Sequence, residues 1–178
     1  YFPLFPWGFY AHKTIHLHAI LALPEPLFSF YRQHAKQLVQ WASLADQRRY
    51  IIQEEGSRHY IDLDRYEKSL PIDSLPYLYD SAVAMYGKDS LQKHGILPWH
   101  VQRVYYALSA AFEENDTERI LKLSADLGHY ISDAHVPLHT CSNYNGQLSN
   151  QKGIHALWES RLPEIYVPGY LFFLPPLE

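Results

Sequence analysis

The chain has one cysteine, Cys141, in 178 residues, which excludes an internal disulfide framework. It leaves the redox compartment open, because an exported protein also folds without bridges. Charge is scarce too: 19% of the residues are charged, too few for long solvated, disordered tails. The formal net charge of -4 excludes the basic surface that a protein uses to wrap a nucleic acid backbone. No uninterrupted apolar run approaches the roughly 20 residues of a membrane helix, so no transmembrane segment is expected. Alternating strand patterns are rare, and no internal repeat, low-complexity tract or linker is found. What is present is 47% hydrophobic residues, enough for one sizeable core, together with 15 tyrosines and 11 histidines.

The apolar residues recur at helical spacing. Val101, Val104, Tyr105, Leu108, Ala111 and Phe112 predict a helix over 98–114 with this stripe on a core and Pro98 in the first turn. Another helix starts near "NDTER", where Asp116 or Thr117 caps free amides, and runs through Ile120, Leu127 and Ile131 until Pro137 halts it. Further helices are predicted over 9–23, 27–41, 75–86, ending at Gly87, and 154–162. The expected architecture is all-α, a single multi-helix domain spanning 1–178. The apolar start "YFPLFP" reads either as the remnant of a secretory leader or as an ordinary apolar arm. The aromatic and proline-rich end "IYVPGYLFFLPPLE" stops without an obvious cap and reads either as a segment that packs back on the core or, the favoured expectation, as the start of a missing C-terminal part.

Potential metal ligands concentrate in "GHYISDAHVPLH", residues 128–139, with three histidines and one aspartate in twelve positions. On a helix, residues four apart share a face about 6 Å apart, so His129 and Asp133 can enter one pocket. His155 and Glu159 form a second such pair, and His12 and His16 a third. His139, His59 and Asp46 lie around them in the sequence. A nitrogen and oxygen donor set without thiolates in register suits zinc in a hydrolytic site better than a structural thiolate cluster. The same spacing also occurs on helix faces for solubility, so the pairs alone leave a metal site and an ordinary polar face as alternatives. The chain has neither the Glu-x-x-His pairs of ferritin-like carboxylate sites nor the His-Glu-x-x-His of zinc proteases, and it lacks an adjacent His-Asp doublet.

The ordered series "WGFYAH", "ADQRR", "RHYID", "GHYISDAHVPLH" and "GIHALWE", from Trp7 to Glu159, resembles the superfamily of bacterial zinc-dependent phospholipases C and single-strand-specific zinc nucleases of fungi and plants. The resemblance implies a helical scaffold enclosing three zinc ions. By position, Asp46, His59, His129 and Asp133 would hold one, and His139, His155 and Glu159 a second. Asp133 as a bridge, His12, and the backbone amine and carbonyl of Trp7 would hold the third. Six residues precede Trp7, so three ions are expected if they are removed and two if they are retained. Asp62 and Asp64 flank His59 as alternative acids to Asp46. His16, His18 and His135 match no ligand position and are expected to be supporting or structural, and His34, His94 and His100 to lie on the surface.

The activity implied is hydrolysis of a phosphodiester by a metal-activated water, with Asp133 central and Asp46 doubling as general base. Glu159 and "NYNG" look closer to the phospholipase branch, where the nuclease branch is expected to carry aspartate as the last ligand. The substrate would be a phosphate ester, either phospholipid or single-stranded nucleic acid, with no stable protein partner implied and an exported location expected. Histidine ligands must be neutral to bind, so activity is expected to fall below about pH 6. A single-strand nuclease, and a non-catalytic zinc-binding protein on the same scaffold, are the alternatives.

Overall fold

The computed structural model describes residues 8–66 and 75–170. The reading of 1–6, the ligand role of Trp7 and the last eight residues lie outside this range. The expected all-α class holds, with no strand among the described residues.

Two long helices form the frame. α8 (Leu97–Glu113) and α9 (Thr117–Ala134) pack along each other, joined by a short turn in which Asn115 takes φ 54°. α9 starts where the sequence predicts: the Asp116 carboxylate accepts the Arg119 amide at 3.0 Å. Such a cap contributes about 1 kcal/mol. One face of α9 carries Leu121, Ala125, His129 and Asp133 at four-residue steps, all buried. The first two belong to an apolar cluster with Ile20, Tyr31, Leu38, Ala111 and Ile120, so hydrophobic burial at one end of the face fixes where the polar end points.

The same device operates in α1 (Phe9–Leu21), whose buried face runs His12, His16, Ile20. α2 (Leu27–Gln33) and α3 (Ala35–Trp41) contribute Tyr31 and Leu38 to the cluster that holds Ile20. α4 (Leu44–Arg48), a 3-10 helix (Gln53–His59), α5 (Leu63–Tyr66), α6 (Tyr79–Tyr86) and α7 (Lys88–His94) follow. A separate apolar cluster of Ile61, Tyr66, Ala82, Leu91 and Trp99 ties α5, α6 and α7 to α8. After α9 come a 3-10 turn (Pro137–His139), α10 (Ile154–Ala156), a π-helical stretch (Leu157–Arg161), α11 (Leu162–Tyr166) and a final 3-10 turn (Val167–Gly169).

Several boundaries differ from the sequence reading. The helix expected over 27–41 is two helices, because His34 leaves helical geometry at φ -107°, ψ 7°. α6 starts at Tyr79 rather than at 75: a proline at 76 disfavours helix at Leu75, and Leu78 is extended. The buried side of α8 is formed by Leu97, His100, Val104 and Ala111, with Trp99; Tyr105 is 54% exposed and Phe112 also reaches the surface. His100 is therefore a core residue and not a surface one, with its ring set edge-on against Tyr130 and its Nδ1 3.0 Å from Arg103.

Candidate metal centre

Five histidines and three acids converge between α1, α4, the Gln53–His59 helix, α9 and the Pro137–Arg161 region, and all eight are buried. Around His59 Nδ1 lie Asp133 Oδ2 at 2.8 Å, His129 Nε2 at 3.1 Å and Asp46 Oδ1 at 3.8 Å. His129 Nε2 is 3.3 Å from Asp133 Oδ2 and 3.7 Å from Asp46 Oδ1. Donors on one tetrahedral cation sit roughly 3.3–3.5 Å apart, given bonds of about 2.0–2.2 Å, and these four atoms straddle that value. Asp62 and Asp64 take no part: Asp62 faces His94 at 3.3 Å, and Asp64 accepts from the Ser142 amide.

The second oxygen of Asp133 faces elsewhere. Asp133 Oδ1 lies 3.5 Å from His12 Nε2, which is 4.0 Å from Asp46 Oδ2. One carboxylate thus serves two imidazole groups. The His12 ring stacks on His129 with centroids 3.9 Å apart. A third group is formed by Glu159, with Oε1 3.1 Å from His139 Nε2 and Oε2 2.9 Å from His155 Nε2. Glu159 sits in the π-helical stretch, where the widened turn re-aims a side chain relative to regular helix. Its carbonyl accepts the Gly8 amide at 2.8 Å, which anchors the start of α1 beside the site.

Ring orientation follows from the far nitrogens. His129 Nδ1 donates to the Ala42 carbonyl at 2.8 Å, His155 Nδ1 to the Tyr144 carbonyl at 3.0 Å, and His139 Nδ1 to the His59 carbonyl. Ser132 donates its hydroxyl proton to the His129 carbonyl, so His12 Nδ1 is the donor in its 2.9 Å contact with Ser132 Oγ. Each of these four rings thereby turns Nε2 toward the acids. Tethering one nitrogen to an oxygen is how metal-binding imidazoles are oriented.

The electrostatics require compensation. Burial would raise the pKa of Asp133, yet His129 and His139 outweigh it and hold the carboxyl well below its usual range. Burial likewise opposes ionisation of Glu159, and His139 and His155 overcome it. Asp46 is the exception: burial dominates and lifts its pKa. Burial lowers His129, but Asp133 and Asp46 carry it up to about 8; His139 is raised to about 9 by Asp133 and Glu159 against the same penalty. His12 is pushed down by burial and by His129, which keeps it neutral. Even so, both oxygens of Asp46, Asp133 Oδ1, His139 Nε2 and both oxygens of Glu159 are buried without a hydrogen bond. Buried polar atoms normally have partners, and a convergent set of unpartnered donors fits a cation. Among the described residues, His12–Asp46–His129, His59–His129–Asp133 and His139–His155–Glu159 are three buried groups able to hold metal ions.

The other histidines are placed differently. His16 is buried, with its two ring nitrogens 2.8 and 3.0 Å from the His12 and Ala125 carbonyls, so it braces α1 against α9 and is not aimed at the acids. His135 is exposed and bonds the Ile131 carbonyl. The sequence reading missed Glu55, fully buried four residues before His59, although the same four-residue spacing marks it. It also missed the cavity of about 470 Å³ that His59, His139 and His155 share with Arg49, Tyr60, Lys93 and Tyr144. No local pattern announces those four, which come from separate parts of the chain. Comparison with protein-family models, curated proteins and solved structures finds no match.

Proposed function

We propose that the chain is a zinc-dependent phosphoesterase by its motif order, and of the phospholipase C type by Glu159 as the last ligand and the "NYNG" stretch. The observation that carries this reading is Asp133, whose two oxygens serve His59 and His129 on one side and His12 on the other, beside a third group at Glu159. Zinc is favoured by donors that are nitrogen and oxygen only. Asp46, His59, His129 and Asp133 would hold one ion, His139, His155 and Glu159 another, and Asp133 and His12, with Trp7, the third. When bound, zinc supplies Lewis acidity and a water that is acidic near neutral pH.

The chain's own residues then divide the work. Arg49, whose guanidinium is 3.8 Å from Asp46, and Lys93 give the cavity cationic walls that attract a phosphate ester despite the acidic net charge. Asp46, with a pKa lifted by burial, is the carboxylate best suited to accept a proton. Asp133 and Glu159 stay ionised and fix the imidazoles around them.

Tyr60 and Tyr144 on the cavity wall favour a second reading, a single-strand nuclease on the same centre, since aromatic faces stack bases irrespective of sequence. One zinc-loaded preparation assayed on phosphatidylcholine, single-stranded DNA and an activated phosphodiester decides between them. Chelator-sensitive release of phosphocholine supports the phospholipase reading, and cleavage of DNA alone supports the nuclease. Bound zinc with no turnover of any of the three overturns both in favour of a non-catalytic zinc-binding protein.

A further inference from the structure

His59 differs from the other four histidines of the centre. Its Nδ1, not its Nε2, faces Asp46, His129 and Asp133. No backbone carbonyl or hydroxyl fixes its far nitrogen: Nε2 is buried, has no hydrogen bond, and lies 3.7 Å from Glu55 Oε1.

Glu55 is built to stay charged and in place. It is fully buried, four residues before His59 in the same 3-10 helix. Its Oε1 accepts from the Tyr130 hydroxyl and faces Arg48 Nη2 at 3.4 Å, and its Oε2 accepts from Arg58 Nη1. Arg48 in turn donates to Asp126 at 2.9 Å and to the Tyr130 hydroxyl at 3.2 Å. The carboxylate is therefore locked to α4 and to the helix that carries His129 and Asp133. An ion-pair hub that merely held the 3-10 helix in place would have no need to turn an oxygen toward the imidazole. Here Oε1 is less than about 1 Å beyond hydrogen-bond reach of His59 Nε2, which has no hydrogen bond of its own.

We propose that Glu55 is the positioning residue for His59: its carboxylate accepts the Nε2 proton and so holds Nδ1 toward the ion shared with Asp46, His129 and Asp133. This rests on the metal-centre reading above. It assigns His59 the opposite tautomer from its neighbours, with Glu55 doing for His59 what Ala42, Tyr144 and the His59 carbonyl do for His129, His155 and His139. Partners of this kind orient the ring and raise its basicity, and their loss weakens metal binding about 10- to 100-fold.

The test combines zinc titration against a competing chelator with imidazole-nitrogen NMR of the zinc-loaded chain, on the wild type and on Glu55→Gln, with circular dichroism as the control for folding. The expected result is a folded Glu55→Gln variant whose tightest site is weakened about 10- to 100-fold. In the wild type, His59 is expected to bind through Nδ1 with a slowly exchanging Nε2 proton. Unchanged affinity in a folded variant, or a wild-type His59 bound through Nε2, overturns the role of Glu55 and leaves the metal centre standing. A wild type that takes up no zinc overturns both. The wild-type spectrum decides the matter even where the variant does not fold.

Discussion

Asp133 has no exposed surface, and its two oxygens face His12 on one side and His59 with His129 on the other, so its loss touches two of the three ligand groups. Asp133→Ala is expected to lower the number of ions bound per chain and to reduce any phosphoesterase activity by at least the ~100-fold that loss of a ligand's own support reaches. Elemental analysis and rate measurement on the same sample check it. The histidines set the pH response. In the metal-free chain His129 and His139 have pKa values raised to about 8 and about 9, above the ordinary 6.5, so at neutral pH both hold protons that a cation must displace. Zinc uptake is therefore expected to release protons, and apparent affinity to climb with pH up to about 9, well above the onset near 6 that unperturbed histidines suggest. Calorimetric titration in buffers of different ionisation heat measures the release. For the metal-free fold the sign reverses. The raised histidines add stability that is complete below about pH 6.5 and lost as pH rises through 8 and 9. The lowered carboxyls of Asp133 and Glu159 add stability that is present above the usual carboxylate range, about 4, and lost in stronger acid. The melting temperature of chelated protein should peak between these limits.

α9 shows how an element can be legible while the site it carries is only half so. Its cap at Asp116, its end near Pro137 and the His129/Asp133 pair all follow from period and punctuation, as does the His155/Glu159 pair across α10 and the π-helical stretch. Asp46 and His59 do not: they ride on a five-residue helix and a 3-10 helix, too short for periodicity to register, and only the resemblance gives them a place among the ligands. His100 and Tyr105 were misread because spacing says which residues share a face, not which edge of that face meets a neighbour. Substituting Asp116→Ala is expected to cost about 1 kcal/mol, seen as a lowered denaturation midpoint with an unchanged slope. Gly128→Ala is a sharper test of the α1–α9 contact. A Cβ there would come within 2.8 Å of His16 Nε2, and that buried ring is confined between the His12 and Ala125 carbonyls. The clash, about 1–3 kcal/mol, should offset or outweigh the roughly 1 kcal/mol gained in helix propensity and leave a net loss of up to about 2 kcal/mol instead of the gain an open site would show.

At the scale of the whole molecule, apolar clusters flank a polar centre that they cannot neutralise. The clusters around Leu38 and Trp99 hold α1, α8, α9 and the short helices in register, and the unpartnered acids and imidazoles lie among those elements. Burying ionised groups without full pairing costs several kcal/mol, and a bound cation offsets that cost only in the folded state. Every role proposed for these residues depends on ions binding there. The most direct measurement is the divalent metal content of the purified chain by elemental mass spectrometry, with the melting temperature recorded before and after exhaustive chelation. At least two zinc ions per chain and a clear fall in melting temperature on chelation are predicted; a chain that carries no stoichiometric metal after incubation with zinc, and melts identically with and without chelator, would contradict it.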